Sequence, residues 1–285
     1  MAFVGKPANE LEGGTNQTTL TTGDTLYASA TNTLSKLPIN TFPCTEVISD
    51  GALPVYGNNL KYIYYNDDFI SGHTVSNQGW NVTLTGSGTA NPAVASLIES
   101  GHPGIINVTT AAATNDRTTY SIFLNSGTYT CTYGTGGGPA ILKLLVKIPT
   151  LSDATDTFSI KLGFGSDSSM PNRDALYFQY THGSNSGNWQ MISRVASGTT
   201  TTTNSSTAAD TNWNLMEIRI NSDCTSVGFY INGSQVANSP VTATLPAGAN
   251  SGVGPFVQIL KSAGTNVRNI LLDYYEYSQI LVTAR

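Results

Sequence analysis

Residues 157–164 read TFSIKLGF. Phe158, Ile160, Leu162 and Phe164 share one side of an extended chain, and Thr157, Ser159, Lys161 and Gly163 share the other. Successive side chains of a strand point to opposite faces. The period of two therefore predicts an antiparallel strand with one face in a core and one turned outward. The same pattern recurs along the chain. In ALYFQYT (175–181) Leu176, Phe178 and Tyr180 oppose Tyr177, Gln179 and Thr181. In NWNLMEIRI (212–220) Met216, Ile218 and Ile220 alternate with Glu217 and Arg219. SVGFYING (226–233) aligns Val227, Phe229 and Ile231 and ends on Asn232-Gly233, a pair suited to a type I′ hairpin turn. AILKLLVKI (140–148) places Leu142, Leu144, Val146 and Ile148 on one face, with Lys143 and Lys147 among Ile141 and Leu145 on the other.

Roughly a dozen such strands follow residue 60, separated by turn signals. They predict an all-β domain over 61–285, built as two packed sheets in a sandwich or jelly roll. The outward face of one such sheet is often concave, and a ligand can lie across it. The only helix candidate is Pro92–Ser100 in NPAVASLIESG, long enough for two short turns.

Residues 1–60 differ. Their apolar pulses are Leu26-Tyr27, Leu34, Leu37, Ile39, Val47-Ile48 and Leu53-Pro54-Val55, too short to close a core within one chain. Three copies wound together could close one, each supplying part of the lining. Leu26, Tyr27, Leu34, Leu37 and Ile39 are therefore the expected oligomerisation residues of an extended N-terminal stalk.

Charged residues make up only 11% of the 285 residues, against roughly 25% in an average soluble domain. Thr, Ser, Asn and Gly must cover the surface instead, as is common in extracellular and virion β proteins. The net charge is −5 and no basic run is present, which argues against nucleic acid as a partner. Cys44, Cys131 and Cys224 have no CxxC spacing and read as reduced, semi-buried side chains. His73, His102 and His182 lack metal-ligand spacing. MAFVGKPANELEGG has neither the basic nor the apolar region of a secretory signal, and no apolar run reaches the roughly 18 residues of a membrane span. No membrane insertion is expected.

Glycoside hydrolysis needs two carboxylates, about 5–5.5 Å apart for retention or about 6.5–9.5 Å for inversion. Glu217 has Arg219 at i+2; Asp273 and Glu276, three apart, would face opposite sides; Asp67 and Asp68 diverge if extended. No Gly-x-Ser-x-Gly elbow occurs, and GTGGGP (134–139) reads as a turn. No enzymatic activity is expected. Trp80, Trp189 and Trp213 stand in apolar-rich strands and read as core residues. The outward faces offer aromatic, amide and guanidinium groups that suit sugar hydroxyls: Tyr177, Gln179, Gln190, Arg194, Arg219 and Tyr230, with Lys161 and Glu217 beside them. Asp67-Asp68-Phe69 reads as a turn in which Phe69 enters the core and the acids cap backbone amides.

The order of DDFISG (67–72), GW (79–80), HPGIINVTT (102–110), 142–167, 175–191, 212–236 and 257–277 resembles the concanavalin A-like, laminin-G-like jelly rolls of bacteriophage structural proteins. That resemblance spans 61–285. LTTGDTLYASATNTLSKLPI (20–39) with VISDGALPVYG (47–57) resembles a short module of phage tail fibres, departing from it at Pro43 and Cys44. Together they imply a virion structural protein: a tail fibre, head fibre or capsid decoration exposed on the particle surface. Residues 1–60 would trimerise it and anchor it to other virion proteins, and the jelly roll would adhere to host-surface glycans. Related laminin-G folds bind calcium through loop carboxylates, which makes Asp67 and Asp68 the implied calcium ligands if any bind. The alternative is a secreted lectin or polysaccharide-active enzyme of the same superfamily.

Overall fold

A computed structural model of the chain describes residues 25–30, 33–37, 47–49, 54–56, 62–69, 80–86, 93–95, 99–122, 131–132, 137–165, 174–195, 198–246 and 252–282. The chain divides into two compact units, residues 1–60 and 61–285. In the first, β1 (Thr25–Ala30) pairs antiparallel with β2 (Thr33–Leu37), and β3 (Val47–Ser49) pairs with β4 (Pro54–Tyr56). Leu26 lies opposite Lys36, Tyr27 opposite Ser35, Ala28 opposite Leu34 and Thr25 opposite Leu37. The side chains of Leu26, Tyr27, Leu34 and Leu37, and all of Ile39, lie outside the described residues.

The second unit is all-β. Its strands are β5 (Tyr62–Asp67), β6 (Asn81–Thr85), β7 (Ala93–Ala95), β8 (Ile105–Thr109), β9 (Arg117–Ser121), β10 (Cys131–Thr132), β11 (Ala140–Lys147) and β12 (Phe158–Gly165). There follow β13 (Ala175–Thr181), β14 (Asn188–Arg194), β15 (Thr200–Ala208), β16 (Trp213–Ile220), β17 (Val227–Ile231), β18 (Ser234–Gln235), β19 (Gly252–Lys261) and β20 (Asn269–Ile280). Sheet I runs β15-β14-β13-β12-β19-β9-β6, with β10 also on β19. Sheet II runs β18-β17-β16-β11-β20-β8-β7, with β5 also on β20. Both are antiparallel throughout.

The alternation decides what lies between them. Phe158, Ile160, Leu162 and Phe164 meet Leu142, Leu144, Val146 and Ile148 in one continuous core, joined by Leu176, Phe178, Tyr180, Met216, Ile218, Phe229 and Val257. Trp80 stacks flat on Tyr120 at 4.4 Å and meets Tyr275 edge-on at 5.2 Å. Trp189 packs against Phe178 and Tyr180 in the same core. At the Asn232-Gly233 turn φ is +52° and +78°, and Ile231 pairs with Ser234, as a type I′ turn requires. Asp67 Oδ1 accepts a 2.8 Å hydrogen bond from the Phe69 amide, and the Phe69 ring is buried beside Trp80.

Pro92–Ser100 is not the helix its spacing allowed. Ala93–Ala95 instead forms β7, with Val94 opposite Ile106, and Glu99 bridges His102. A run this short gains little from an isolated helical turn, whereas the open edge of β8 offers ready hydrogen bonds. Among the described residues no helix is long and apolar enough to cross a membrane, and no group of three His, Cys, Asp or Glu could hold a metal ion.

Candidate functional site

One register line crosses the outward face of sheet I from edge to edge. Asn204, Gln190, Gln179, Lys161, Gln258, Thr119 and Thr83 are successive cross-strand neighbours. Four strands that follow one another in the chain supply the Asn204 end, and β19, β9 and β6 supply the rest. Gln190 Nε2 donates to Asn204 Oδ1 (2.8 Å), and Gln258 Nε2 donates to Thr119 Oγ1 (2.8 Å). Between these two pairs stand Gln179 and Lys161, both half-buried. Neither has a hydrogen-bond or ion-pair partner among the described residues.

The adjacent line forms an apolar floor. Ile192, Tyr177, Gly163 and Phe256 are neighbours across it. Ala175, Tyr177, Ile192 and Phe256 form a buried cluster separate from the main core, although they sit on the outward face. The Tyr177 and Phe256 rings meet edge-to-face at 5.9 Å. Their strands flank β12, and the residue between them is Gly163. Tyr177 is only 3% exposed, so it builds the floor and is not the open sugar platform expected from its polar-face position. Gln190, at 9%, is nearly as deep.

Three cations share this face: Lys161 at its middle, Arg194 on β14 and Arg117 on β9. Among its described residues there is no Asp or Glu. Asp116 and Asp174 immediately precede β9 and β13 with the parity of inward residues, and Asp116 Oδ2 accepts from the Ala113 amide. Lys161 Nζ lies 5.6 Å from the centroid of the Tyr177 ring. Burial, reinforced by the positive charges of Arg194 and Arg117, lowers the pKa of Lys161 from its ordinary value. Burial raises that of the Tyr177 phenol, with Arg194 opposing.

Arg219 and Tyr230 lie elsewhere. They are on β16 and β17 of sheet II, whose outward face is on the other side of the core, so they cannot join Tyr177, Gln179, Gln190 and Arg194 in one site. Parity along a strand says inward or outward, but not which sheet the strand enters. Arg219 is already engaged: it binds Glu217 through Nε (2.8 Å) and Nη2 (2.9 Å) and stacks over Tyr230 at 4.1 Å. Both residues line a cleft of about 210 Å³ with Asn221, Gly228, Gln235 and Pro240.

The carboxylates of sheet II are tied up in the same way. Lys143 lies between Glu217 and Glu276 in register. Its Nζ donates to Glu276 Oε1 (2.8 Å), and Tyr274 Oη donates to Glu276 Oε2 (2.7 Å). Burial would raise the pKa of Glu276, but the hydrogen bonds from Lys143 and Tyr274 outweigh it and hold the carboxyl below its ordinary value. Asp273 and Glu276 do not face opposite sides as their spacing suggested. The register shifts between Leu145 and Val146, one residue is inserted on β20, and Leu272 and Tyr275 both point inward. Asp273 Oδ2 accepts from His102 Nδ1 at 2.7 Å, and His102 stacks on Trp213 at 4.3 Å.

Trp213 is therefore not a core residue. Its Nε1 donates to Glu99 (2.8 Å), which also accepts from Lys147 Nζ (3.0 Å). These hydrogen bonds, Trp213's first, hold the Glu99 carboxyl below its ordinary value. The cluster joins residues from 99 to 273, and no local motif announces it.

Comparisons with known proteins follow the fold. The described family of SO2946-like C-terminal domains matches residues 101–273. A crystal structure of SO2946, a protein of unknown function from Shewanella oneidensis MR-1, superimposes with a TM-score of 0.53 at 14% identity, covering 79% of this chain and 89% of that one. An endo-1,3-β-glucanase from Streptomyces sioyaensis superimposes with a TM-score of 0.50 at 13% identity, covering 77% and 97%. At these identities they establish the fold, a concanavalin A-like jelly roll. No curated protein matches the chain in sequence. Nothing in these matches indicates a virion protein, so the appendage expectation gains no support from them. The family match spans more than half of the chain and lies wholly within the second unit: the protein belongs to the SO2946-like family through its C-terminal domain.

Proposed function

We propose that residues 61–285 form a carbohydrate-binding module that holds a glycan across the outward face of sheet I without hydrolysing it. The observation that carries this reading is the pair Gln179 and Lys161. Each is a half-buried polar group with no side-chain hydrogen-bond or ion-pair partner among the described residues, between two hydrogen-bonded pairs and beside a buried aromatic floor. Amide and ammonium groups above an apolar floor match the hydroxyls and C–H faces of a sugar. The endo-1,3-β-glucanase that shares the fold supports a saccharide as the ligand class. Hydrolysis would need a carboxyl kept protonated by a raised pKa. Glu276 is instead held low and ion-paired, and on the opposite face.

Titration calorimetry with a panel of oligosaccharides, β-1,3-glucan fragments included, tests this. Gln179→Ala is expected to weaken binding about tenfold, or ~1.4 kcal/mol, with an unchanged melting temperature. Full affinity in that variant, or no binding by the native chain, would refute the proposal. Release of reducing ends would show an enzyme instead.

The resemblance of residues 20–57 supports a further element, in which the first unit assembles three chains and displays the module on a particle surface. Light scattering at micromolar concentration should return the mass of a trimer. Leu34→Asp should reduce it to one chain while the jelly roll stays folded. A native monomer would remove the stalk from the reading, and gold labelling of intact particles tests the location.

A further inference from the structure

We infer that the glycan held by sheet I is acidic, a polysaccharide bearing carboxylate or sulfate groups laid along the diagonal of Arg117, Lys161 and Arg194. This rests on the glycan-binding reading above and narrows its ligand class.

The register defines the diagonal. Arg117 pairs with Leu260, which pairs with Ser159, one outward position before Lys161. Arg194 pairs with Ala175, which pairs with Gly165, two outward positions beyond Lys161. β9 and β14 each lie two strands from β12, on opposite sides. With about 4.8 Å between strands and about 6.8 Å between outward residues, the two arginine backbones lie on the order of 28 Å apart. That is an extended track suited to a polymer, with Lys161 inside it.

The charge distribution points to an anion. The chain has 18 acidic residues against 13 Lys and Arg. Yet the described residues of this face include three of the cations and none of the acids. Among the described residues neither Lys161 nor Arg117 makes an ion pair; the Arg117 Nη2 donates only to the neutral Thr85 hydroxyl at 2.8 Å. Lys161 and Arg117, two cations on one half-buried face without ion pairs among the described residues, favour the arrival of a counter-charge. Burial is the larger cause that lowers the Lys161 pKa, and repulsion from Arg194 and Arg117 adds to it. A neutral sugar would leave that repulsion in place. Carboxylates or sulfates spaced along a chain would relieve it, and the free Gln179 amide beside Lys161 would take the hydroxyls between them.

The test compares binding of the full chain to polygalacturonate, dextran sulfate and neutral laminarin. In about 20 mM salt an acidic polymer should bind at least about tenfold more tightly than laminarin, and the gap should close near about 500 mM as screening sets in. Arg117→Gln should lose about tenfold on the acidic polymer and under about twofold on laminarin, whereas Lys161→Met should weaken both, the acidic polymer by about tenfold more than laminarin. Lys161→Arg should restore binding, which separates lost charge from lost fold. If laminarin binds as well as the acidic polymers and Arg117→Gln changes nothing, the acidic class is wrong while the glycan site stands. If no polysaccharide binds, the glycan reading itself falls. A single-stranded oligonucleotide bound as tightly as polygalacturonate would also overturn the inference, because the face would then select charge and not sugar.

Discussion

Gly163→Ala is expected to lower the unfolding free energy by about 3 kcal/mol or more, among the largest effects available from a single methyl group here. Gly163 sits in the middle of β12 with φ at +150°, a conformation that L side chains rarely adopt. A Cβ added there would lie 2.4 Å from the Leu176 carbonyl oxygen, 2.7 Å from the Tyr177 Cα and 2.8 Å from Ile218 Cδ1. The third is the tip of a side chain from the opposite sheet and can shift, but the first two are backbone atoms of the adjoining strand and cannot yield without moving it. Relief requires β12 and β13 to separate or rotate. Both strands carry the site, with Lys161 on one and Tyr177 and Gln179 on the other. Urea unfolding measures the loss. A shift below about 1 kcal/mol would mean the strand accommodates the methyl by ordinary relaxation. The Tyr177–Phe256 contact should open in step, giving a lower melting temperature together with weaker glycan binding.

Lys261→Met should cost about 3 kcal/mol, for a different reason. Lys261 ends β19 and is completely buried. Its Nζ donates to the Ala112 carbonyl at 3.0 Å and to the Asn266 carbonyl, and lies 3.9 Å from Asp156 Oδ1. Asp156 in turn accepts from the Asn266 amide (3.0 Å), the Asn266 side chain (2.5 Å) and Arg268 Nη2 (2.9 Å). The Asn266 backbone bond is the leading cause that lowers the Asp156 pKa from its ordinary value. The ammonium thus ties the loop before β9, the loop before β12 and the loop before β20 to one point. Methionine matches the length of the stem, so little volume is lost. What is lost is the donor: two buried carbonyls lose a partner and the Asp156 carboxylate loses a nearby cation. Equilibrium unfolding of the full chain again provides the measure. A loss under about 1 kcal/mol would show that water or rearranged neighbours replace the ammonium.

These two positions mark the limit of what can be read from pattern. TFSIKLGF announces its inward residues plainly, and all four are buried. Gly163 at its centre looks like any small residue, because the atoms a side chain there would strike belong to Leu176 and Tyr177 on the next strand and to Ile218 in another sheet. VQILK ends in a lysine, and a lysine at a strand end ordinarily reaches water. Its burial depends on loops that arrive from more than a hundred residues earlier. The candidate site divides in the same manner. Tyr177, Gln179, Gln190 and Arg194 come from consecutive strands β13 and β14, so an outward parity sufficed to group them. Arg219 and Tyr230 have the same parity and the wrong sheet. Lys161 gains its importance from Arg117 and Arg194, which the register brings to the same face from either side. The Asp273 side chain escaped the parity argument because an inserted residue on β20 reset it.

The amino-acid order by itself determined the all-β class, the antiparallel alternation, the alternating inward residues of β11, β12, β13, β16 and β17, and the I′ turn at Asn232-Gly233. All of these follow from interactions within a few residues, where a period of two or a positive φ is dictated by local backbone geometry. Only the tertiary structure decided which strands became neighbours, which polar groups were left unpaired between them and where the cations gathered. Those outcomes depend on pairings such as β12 with β19 and β20 with β11, formed between segments far apart in the chain. They are selected by how the whole apolar surface of both sheets closes, and no stretch of sequence carries that information alone.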